Sequence, residues 1–281
     1  MAGEQNDVLQ NDILQNNILV DARWLSEHRT QRSMVLVDTR SAADFHAGHL
    51  SGARHFDPFP FHYTDTSERG MREFRAQLEW IFSALGIIGD ETLVLYENDS
   101  GMRATRTAWL AEYMGHRRVR ILDGGLKLAG ANLTTVVESV TPSAFAAAPR
   151  EEIFASNEYI VERLGRADVR IFDVRSDEEY FGERVRARRA GALPGAVHLD
   201  WVNSVASSGA FKSPAELRTA FEQVGLRPDA EIVPYCQGGY RSANAYYALR
   251  LAGFNRVRNY IGSWGEWGNR EDLPIEYPRR K

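Results

Sequence analysis

Ile232-Val233-Pro234-Tyr235-Cys236-Gln237-Gly238-Gly239-Tyr240-Arg241-Ser242 is the stretch from which the organisation of this 281-residue chain reads outward. An apolar run ends at the only cysteine in the sequence, and two glycines, an arginine and a serine follow. Apolar residues then recur at helical spacing at Ala245, Ala248, Leu249 and Ala252, and Gly253 stands where a left-handed residue closes a helix. Strand, tight loop, helix is the local expectation. In that geometry Gly238 and Gly239 are free to take positive φ and to turn successive backbone N–H groups inward as an anion nest. The positive end of the helix points at the same place, and Arg241 adds a full charge. A cysteine in such a field has a depressed pKa and exists largely as the nucleophilic thiolate. A buried structural cysteine is the alternative, but that residue normally sits inside an element and not at a Gly-Gly-x-Arg turn.

Composition sets the frame. Hydrophobic content of 43% and charged content of 26% are those of a globular protein of one large or two ordinary domains. A net charge of -4 gives no reason to expect nucleic acid or an anionic membrane as partner. The sequence has no long uncharged apolar run, and Met1 to Val20 lacks the basic-then-apolar layout of a secretory signal. A single cysteine rules out an internal disulfide and fits a reducing compartment, so a cytoplasmic monomer is expected.

A long repeat supplies the domain organisation. Met34-Val35-Leu36-Val37-Asp38-Thr39-Arg40 has the plan of Val169-Arg170-Ile171-Phe172-Asp173-Val174-Arg175, an apolar run ending in Asp-x-Arg as a buried parallel strand enters a loop. Gly48-His49-Leu50-Ser51-Gly52-Ala53 echoes Gly191-Ala192-Leu193-Pro194-Gly195-Ala196, and Leu93-Val94-Leu95-Tyr96-Glu97 echoes the run into Cys236. Gly115 answers to Gly253, and Val119 to Gly124 matches Val257 to Gly262. Equivalent positions lie about 135 to 140 residues apart, so the unit is a whole domain and not a solenoid module. Strands alternate with helical segments in both halves, which implies α/β domains with mainly parallel sheets flanked by helices. The expected division is an Asn/Gln-rich leader over 1–16, leading into a first short strand, a first domain over 17–130, an Ala/Ser/Thr/Pro-rich linker over 131–150 and a second domain over 151–277.

Cys236 to Arg241 resembles the six-residue active-site loop of the rhodanese (sulfurtransferase) family, Cys-x-x-x-x-Arg followed by a small residue. The resemblance covers nearly all of the chain after the leader. It takes in the Asp-x-Arg strand ends, the Gly-His-x-x-Gly-Ala motif (intact in the first half, with Ala192 for His in the second) and the cysteine loop. It implies two tandem rhodanese-like domains, with Cys236 as the nucleophile that carries a sulfane sulfur as a persulfide. Gln237, Gly238, Gly239, Tyr240, Arg241 and Ser242 would hold that group, with no metal and no organic cofactor. The implied partners are a small-molecule sulfur donor and a thiophilic acceptor such as cyanide or a thiol. Open parallel sheets carry their sites at the strands' carboxyl ends, where Cys236 falls. The first half has Glu97 at the equivalent position, and a carboxylate cannot take up a sulfane sulfur, so catalysis is expected in the second half alone. The first half is expected to wall the cleft.

The remaining candidates are weighed against plainer roles. Arg184, Arg186, Arg188 and Arg189 form either a solvated face or, through Arg184, a guide for anions. Trp201, Trp264 and Trp267 are pocket or core. His46 and His49 have a His-x-x-His spacing but no third metal ligand nearby. Asp173 and Arg175 are expected to brace loops, and Pro234, inside a strand, predicts a bulge or bend. Glu179 falls where several rhodanese relatives place a substrate-binding arginine, which favours thiosulfate over the carboxylate-bearing 3-mercaptopyruvate as donor. Two rivals stay open. Cysteine phosphatases and arsenate reductases share the Cys, nest and Arg, but place one more residue in the loop than the four found here. A non-enzymatic sulfur carrier or binding module is the other.

Overall fold

The structure, a computed structural model, describes residues 18–29 and 33–280; the expected leader over 1–16 lies outside the described residues. The chain folds as two α/β halves. In the first, β1 (Leu19–Val20), α1 (Ala22–His28), β2 (Met34–Asp38), α2 (Ala42–Ala47), β3 (His49–Leu50) and β4 (Arg54–His55) lead to the long α3 (Glu68–Ala84). There follow β5 (Thr92–Tyr96), α4 (Met102–Tyr113), β6 (Val119–Leu122), α5 (Gly125–Ala129) and β7 (Leu133–Thr134). The second half holds α6 (Asn157–Val161), β8 (Val169–Asp173), α7 (Asp177–Tyr180), β9 (Val197–His198), α8 (Pro214–Gln223), β10 (Glu231–Tyr235), α9 (Tyr240–Leu251) and α10 (Ser263–Trp267).

The first sheet has the order β1-β6-β5-β2-β4 with every pairing parallel, and the second runs β10-β8-β9, also parallel. Helical crossovers cover both faces, which is why β5 and β10 are mostly apolar and buried over nearly all of their length. Register places Asp38 beside Tyr96 and Asp173 beside Tyr235 at the carboxyl ends of paired strands. There the duplication repeats itself atom for atom. Arg40 Nη2 donates to Asp38 (2.6 Å) and to the Gly48 carbonyl (2.6 Å), and Tyr96 Oη accepts the Leu50 N–H (3.0 Å). In the second half Arg175 Nη2 donates to Asp173 (2.6 Å) and the Gly191 carbonyl (2.8 Å), while Tyr235 Oη accepts the Leu193 N–H (3.1 Å). The Asp-x-Arg signature is thus a clamp that ties the strand end to the Gly-x-x-x-Gly-Ala loop.

Pro234 produces no bulge. The strand stays in register from Glu231–Val169 through Tyr235–Asp173. Its missing N–H faces the 256–260 segment instead. There Ile232 both donates to Arg256 and accepts from Arg258, Pro234 offers only its carbonyl to the Tyr260 N–H, and the pairing is reduced to one isolated bridge, Ile232 to Val257.

The equivalent helices α4 and α9 pack on each other, and both are buried over most of their length. One apolar core accordingly runs through both halves, from Phe74 and Trp109 to Phe172, Tyr246 and Phe254. Polar contacts lock the same interface. Arg250 pairs with Glu112 at 3.0 Å, and Asn244 donates to the Ser100 carbonyl at 2.9 Å. Glu266, buried without a cationic partner, collects donors from Thr66 N–H (2.9 Å), Thr66 hydroxyl (2.7 Å), Asn157 (2.6 Å) and Tyr260 (2.8 Å). The segment read as a linker is strapped to the first half: Ser143 N–H bonds the Ser83 carbonyl (2.8 Å), Ala148 N–H bonds that of Met114 (2.9 Å), and Phe145 enters the core.

Candidate active site

β10 delivers Cys236 to the carboxyl edge of its sheet, and α9 begins at Tyr240, so the loop between them wraps the sulfur. Gly239 takes φ +85 and its N–H donates to Cys236 Sγ at 3.1 Å. The carbonyls of Cys236 and Gln237 are held by the N–H groups of Trp264 (2.9 Å) and Gly265 (2.7 Å) at the start of α10. Their counterparts do the same in the first half, where Leu126 and Lys127 hold Glu97 and Asn98, both at 2.9 Å. Cys236 N–H donates to Ser263 Oγ at 3.0 Å, and that hydroxyl donates to the Tyr260 carbonyl at 2.8 Å. Ser263 has φ +54, the only positive φ outside glycine among the described residues, and its repeat counterpart Gly125 has φ +53. A side chain is therefore kept at a position that favours glycine, and the hydroxyl it brings satisfies the cysteine amide.

Gly238 departs from the sequence expectation. It does not adopt positive φ; a Cβ there would lie 1.8 Å from His62 Cε1, so with the ring in this place only glycine fits. His62 comes from the first half, and burial together with the charges of Arg106 and Arg186 lowers its pKa.

The sulfur is 1% exposed and still lines the cleft. Burial pushes its pKa up, but the Arg241 charge, the amides of Ser242 and Gly238 and the Ser242 hydroxyl outweigh this, leaving the thiol below its ordinary value. Arg241 supplies the charge the sequence reading expected, but it is paired. It forms a fork with Glu179 at 2.5 and 3.0 Å, and Glu179 also meets Arg186 at 3.5 Å. Burial opposes ionisation of Glu179, yet these guanidinium groups hold its carboxyl down at about 2. Glu179 therefore acts on the site by fixing Arg241, with both side chains largely buried.

The cleft, about 600 Å³, is lined by Phe59, His62 and Met102 from the first half and by Arg186, Trp201 and the loop from Cys236 to Arg241 from the second. Arg184, the expected anion guide, is exposed and away from this lining; Arg186 stands there instead, its carbonyl accepting from Gln237 Nε2 at 3.0 Å. Tyr240 turns its hydroxyl to the Pro58 carbonyl (2.8 Å), tying the loop to the first half. Trp201 belongs to the cleft, whereas Trp264 and Trp267 are buried with their indole N–H groups on the carbonyls of Arg189 and Pro274. His49 is buried, stacked on Phe45 at 3.9 Å and bonded to the Phe45 and Val136 carbonyls, while His46 is exposed. Among the described residues no group of His, Cys, Asp and Glu is arranged to hold a metal ion.

In the first half Glu97 fills its own nest. Its Oε1 accepts the N–H groups of Arg103 and Ala104, both at 2.8 Å, at the start of α4. Burial and the Asp99 charge outweigh those amides and raise its pKa to about 7. An internal carboxylate thus sits where the second half keeps its sulfur.

His62, Arg106, Ser263, Phe59 and Met102 lie outside the sequence reading of the site. For Ser263 a signal existed, since the repeat aligns it with Gly125. The others arrive through packing between the halves.

Fold and site together define a two-domain α/β protein with its single cysteine in an amide-lined loop. The pattern of the rhodanese-like domain matches residues 21–129 and 156–270, and the chain belongs to the rhodanese family. It is 37% identical over 246 residues to the thiosulfate sulfurtransferase of Azotobacter vinelandii, covering 86% of this chain and 91% of that one. It is 34% identical over 276 residues to the sulfur carrier protein TtuD of Thermus thermophilus, covering 92% and 95% of the two chains. Among solved structures it resembles SseA from Escherichia coli, a 3-mercaptopyruvate sulfotransferase, with a TM-score of 0.77 at 24% identity, over 88% of this chain and 99% of that one.

Proposed function

We propose that this protein is a sulfurtransferase that passes a sulfane sulfur from thiosulfate through a Cys236 persulfide to cyanide or a thiol. The observation that carries the reading is the buried sulfur held below its ordinary pKa by Arg241 and inward amides, with Gly239 N–H at 3.1 Å from Sγ. The thiolate attacks the outer sulfur of the donor; the new S–S bond forms as the old one breaks, and sulfite leaves with the electron pair. The persulfide carries one negative charge, as the thiolate did, and the same amides hold it. The acceptor then takes the outer sulfur, for cyanide as thiocyanate, and the thiolate returns. Neither half-reaction needs an oxidant or a proton from the protein.

Thiosulfate is favoured over 3-mercaptopyruvate by the relation to the Azotobacter thiosulfate sulfurtransferase, and Glu179, engaged with Arg241, keeps that guanidinium from a bidentate pair with a donor carboxylate. The relation to a protein named a sulfur carrier supports a second outcome, in which the acceptor is another protein and small acceptors turn over slowly. Intact-mass measurement after thiosulfate treatment tests the carrier step. One added sulfur, removed by cyanide and absent in Cys236→Ser, is expected; an unchanged mass refutes it. Turnover with thiosulfate against 3-mercaptopyruvate decides the donor, and Cys236-dependent hydrolysis of p-nitrophenyl phosphate would favour the phosphatase rival.

A further inference from the structure

Arg106 lies mid-helix in α4 of the first half, 0% exposed, against the cysteine loop of the second. Its Nη1 makes one long contact, 3.4 Å to the Gly239 carbonyl, and its Nε and Nη2 have no hydrogen-bond partner. The other buried arginines among the described residues each have a carboxylate: Arg40 has Asp38, Arg175 has Asp173 and Arg250 has Glu112. Arg106 has none; the rings of Tyr240 and Trp109, with centroids at 5.2 and 5.9 Å, are its nearest compensation. Leaving a guanidinium uncompensated in a protein interior costs several kcal/mol. Such a charge persists where an anion is present for part of the working cycle.

The place of that anion follows from the packing. Nη1 abuts the Cα face of Gly239, 2.6 Å from where a Cβ would stand, and the N–H of the same residue bonds Cys236 Sγ. The other groups facing the sulfur fill the role only in part. Arg241 lowers the thiol pKa but divides its charge with Glu179, Arg186 leans on Glu179 at the rim, His62 is held toward its neutral form, Tyr240 donates to Pro58, and Ser263 is uncharged.

We propose that Arg106 is the buried counter-charge of the Cys236 sulfur, supplied across the interface by the half that lacks a nucleophile. The proposal rests on reading Cys236 as a sulfur carrier. Thiolate and persulfide carry the same single charge, so one fixed cation serves both half-reactions without moving. Arg106 touches no substrate; it is a positioning residue that acts through its field and through Gly239. Burial lowers the pKa of Arg106 and the charges of Tyr240 and Cys236 work in the opposite direction, as the pairing requires.

The test measures alkylation of Cys236 by iodoacetamide as a function of pH in wild type, Arg106→Gln and Arg106→Lys. Folded R106Q is expected to react at least about tenfold more slowly at neutral pH, with its midpoint raised by about one pH unit, and R106K to recover most of the loss. A wild-type midpoint in folded R106Q overturns the proposal. Should R106Q not fold, wild type carries the test through two adducts of similar size. The anionic persulfide should raise the melting temperature above that of the neutral methyl disulfide made with methyl methanethiosulfonate, and equal temperatures overturn the proposal. Failure of wild type to gain sulfur from thiosulfate defeats the carrier reading; a persulfide that forms in R106Q with an unshifted midpoint defeats the counter-charge alone.

Discussion

Replacing Glu179 by glutamine isolates the charge that fixes Arg241. The carboxylate takes the guanidinium fork at 2.5 and 3.0 Å with its side chain 2% exposed. Burial pushes its pKa up, the Arg241 pairing overcomes this, and it settles at about 2 against an ordinary 4.5. That gap corresponds to roughly 3 kcal/mol of folding free energy. A carboxylate with a depressed folded pKa stabilises fully above its unfolded value and loses that contribution as pH falls through the folded one. The contribution is therefore whole at pH 7, begins to fade near pH 4.5 and is gone by about pH 2. Glutamine keeps the shape and one acceptor oxygen but removes the charge. Urea unfolding should find E179Q less stable by about 3 kcal/mol at neutral pH, with the difference shrinking steadily below about pH 4.5. Arg241, no longer neutralised, should also draw the Cys236 pKa further down, so alkylation at mildly acid pH speeds up while sulfur transfer slows for want of a fixed loop. A stability offset that stays constant from pH 7 to pH 3 would refute the ion pair as the source of the effect.

Further outcomes follow from neighbouring contacts. Gly238→Ala puts a methyl group 1.8 Å from His62 Cε1, so the imidazole must swing and the cleft narrow; we expect a stability loss of about 1–3 kcal/mol and a raised KM for thiosulfate, and an unchanged KM would show that the contact does not shape the cleft. Glu97 has a folded pKa raised by burial to about 7, so folding is opposed increasingly as pH rises from about 4.5 through 7. Glu97→Gln keeps an oxygen for the Arg103 and Ala104 amides and should be the more stable protein at pH 8, by up to about 3 kcal/mol in urea unfolding, with wild-type turnover.

What the sequence disclosed was contiguous or periodic. The run into Cys236, the glycine at the helix start and each of the doubled Asp-x-Arg strands are patterns confined to a few consecutive residues, and short-range rules reach them. The two rhodanese-like domains could be read because a repeat of domain length needs only self-comparison. Glu179 stands out in sequence only by its charge, whereas its partnership with Arg241 depends on how α7 meets α9. In sequence the glycine at 238 signals torsional freedom, whereas in the fold it makes room for a ring brought over it from the other half. Arg184 and Arg186 are indistinguishable in a basic run; strand and loop geometry alone decides which of them reaches the cleft. His62 and Arg106 carry no local signature, because what makes each matter is a contact made across the interface.

The two halves also explain each other. Each forms the same nest from the same parts: a Tyr-ending strand, a loop whose carbonyls are held by the next short helix, and inward amides at the start of a long one. A nest without an anion is a cluster of unsatisfied buried donors, so each half must fill its own. The first does so with the Glu97 side chain, which accepts the Arg103 and Ala104 amides. On the proposed function the second fills its nest with an atom that gains and gives up sulfur, which calls for a cation that stays in place throughout. Arg241 supplies part of that charge and shares the rest with Glu179, which holds it in place. Packing α4 against α9 brings the first half's uncompensated Arg106 to the back of the loop and its His62, Phe59 and Met102 to the front. The first half is in this way packed on both sides of the sulfur, and one continuous core holds it there.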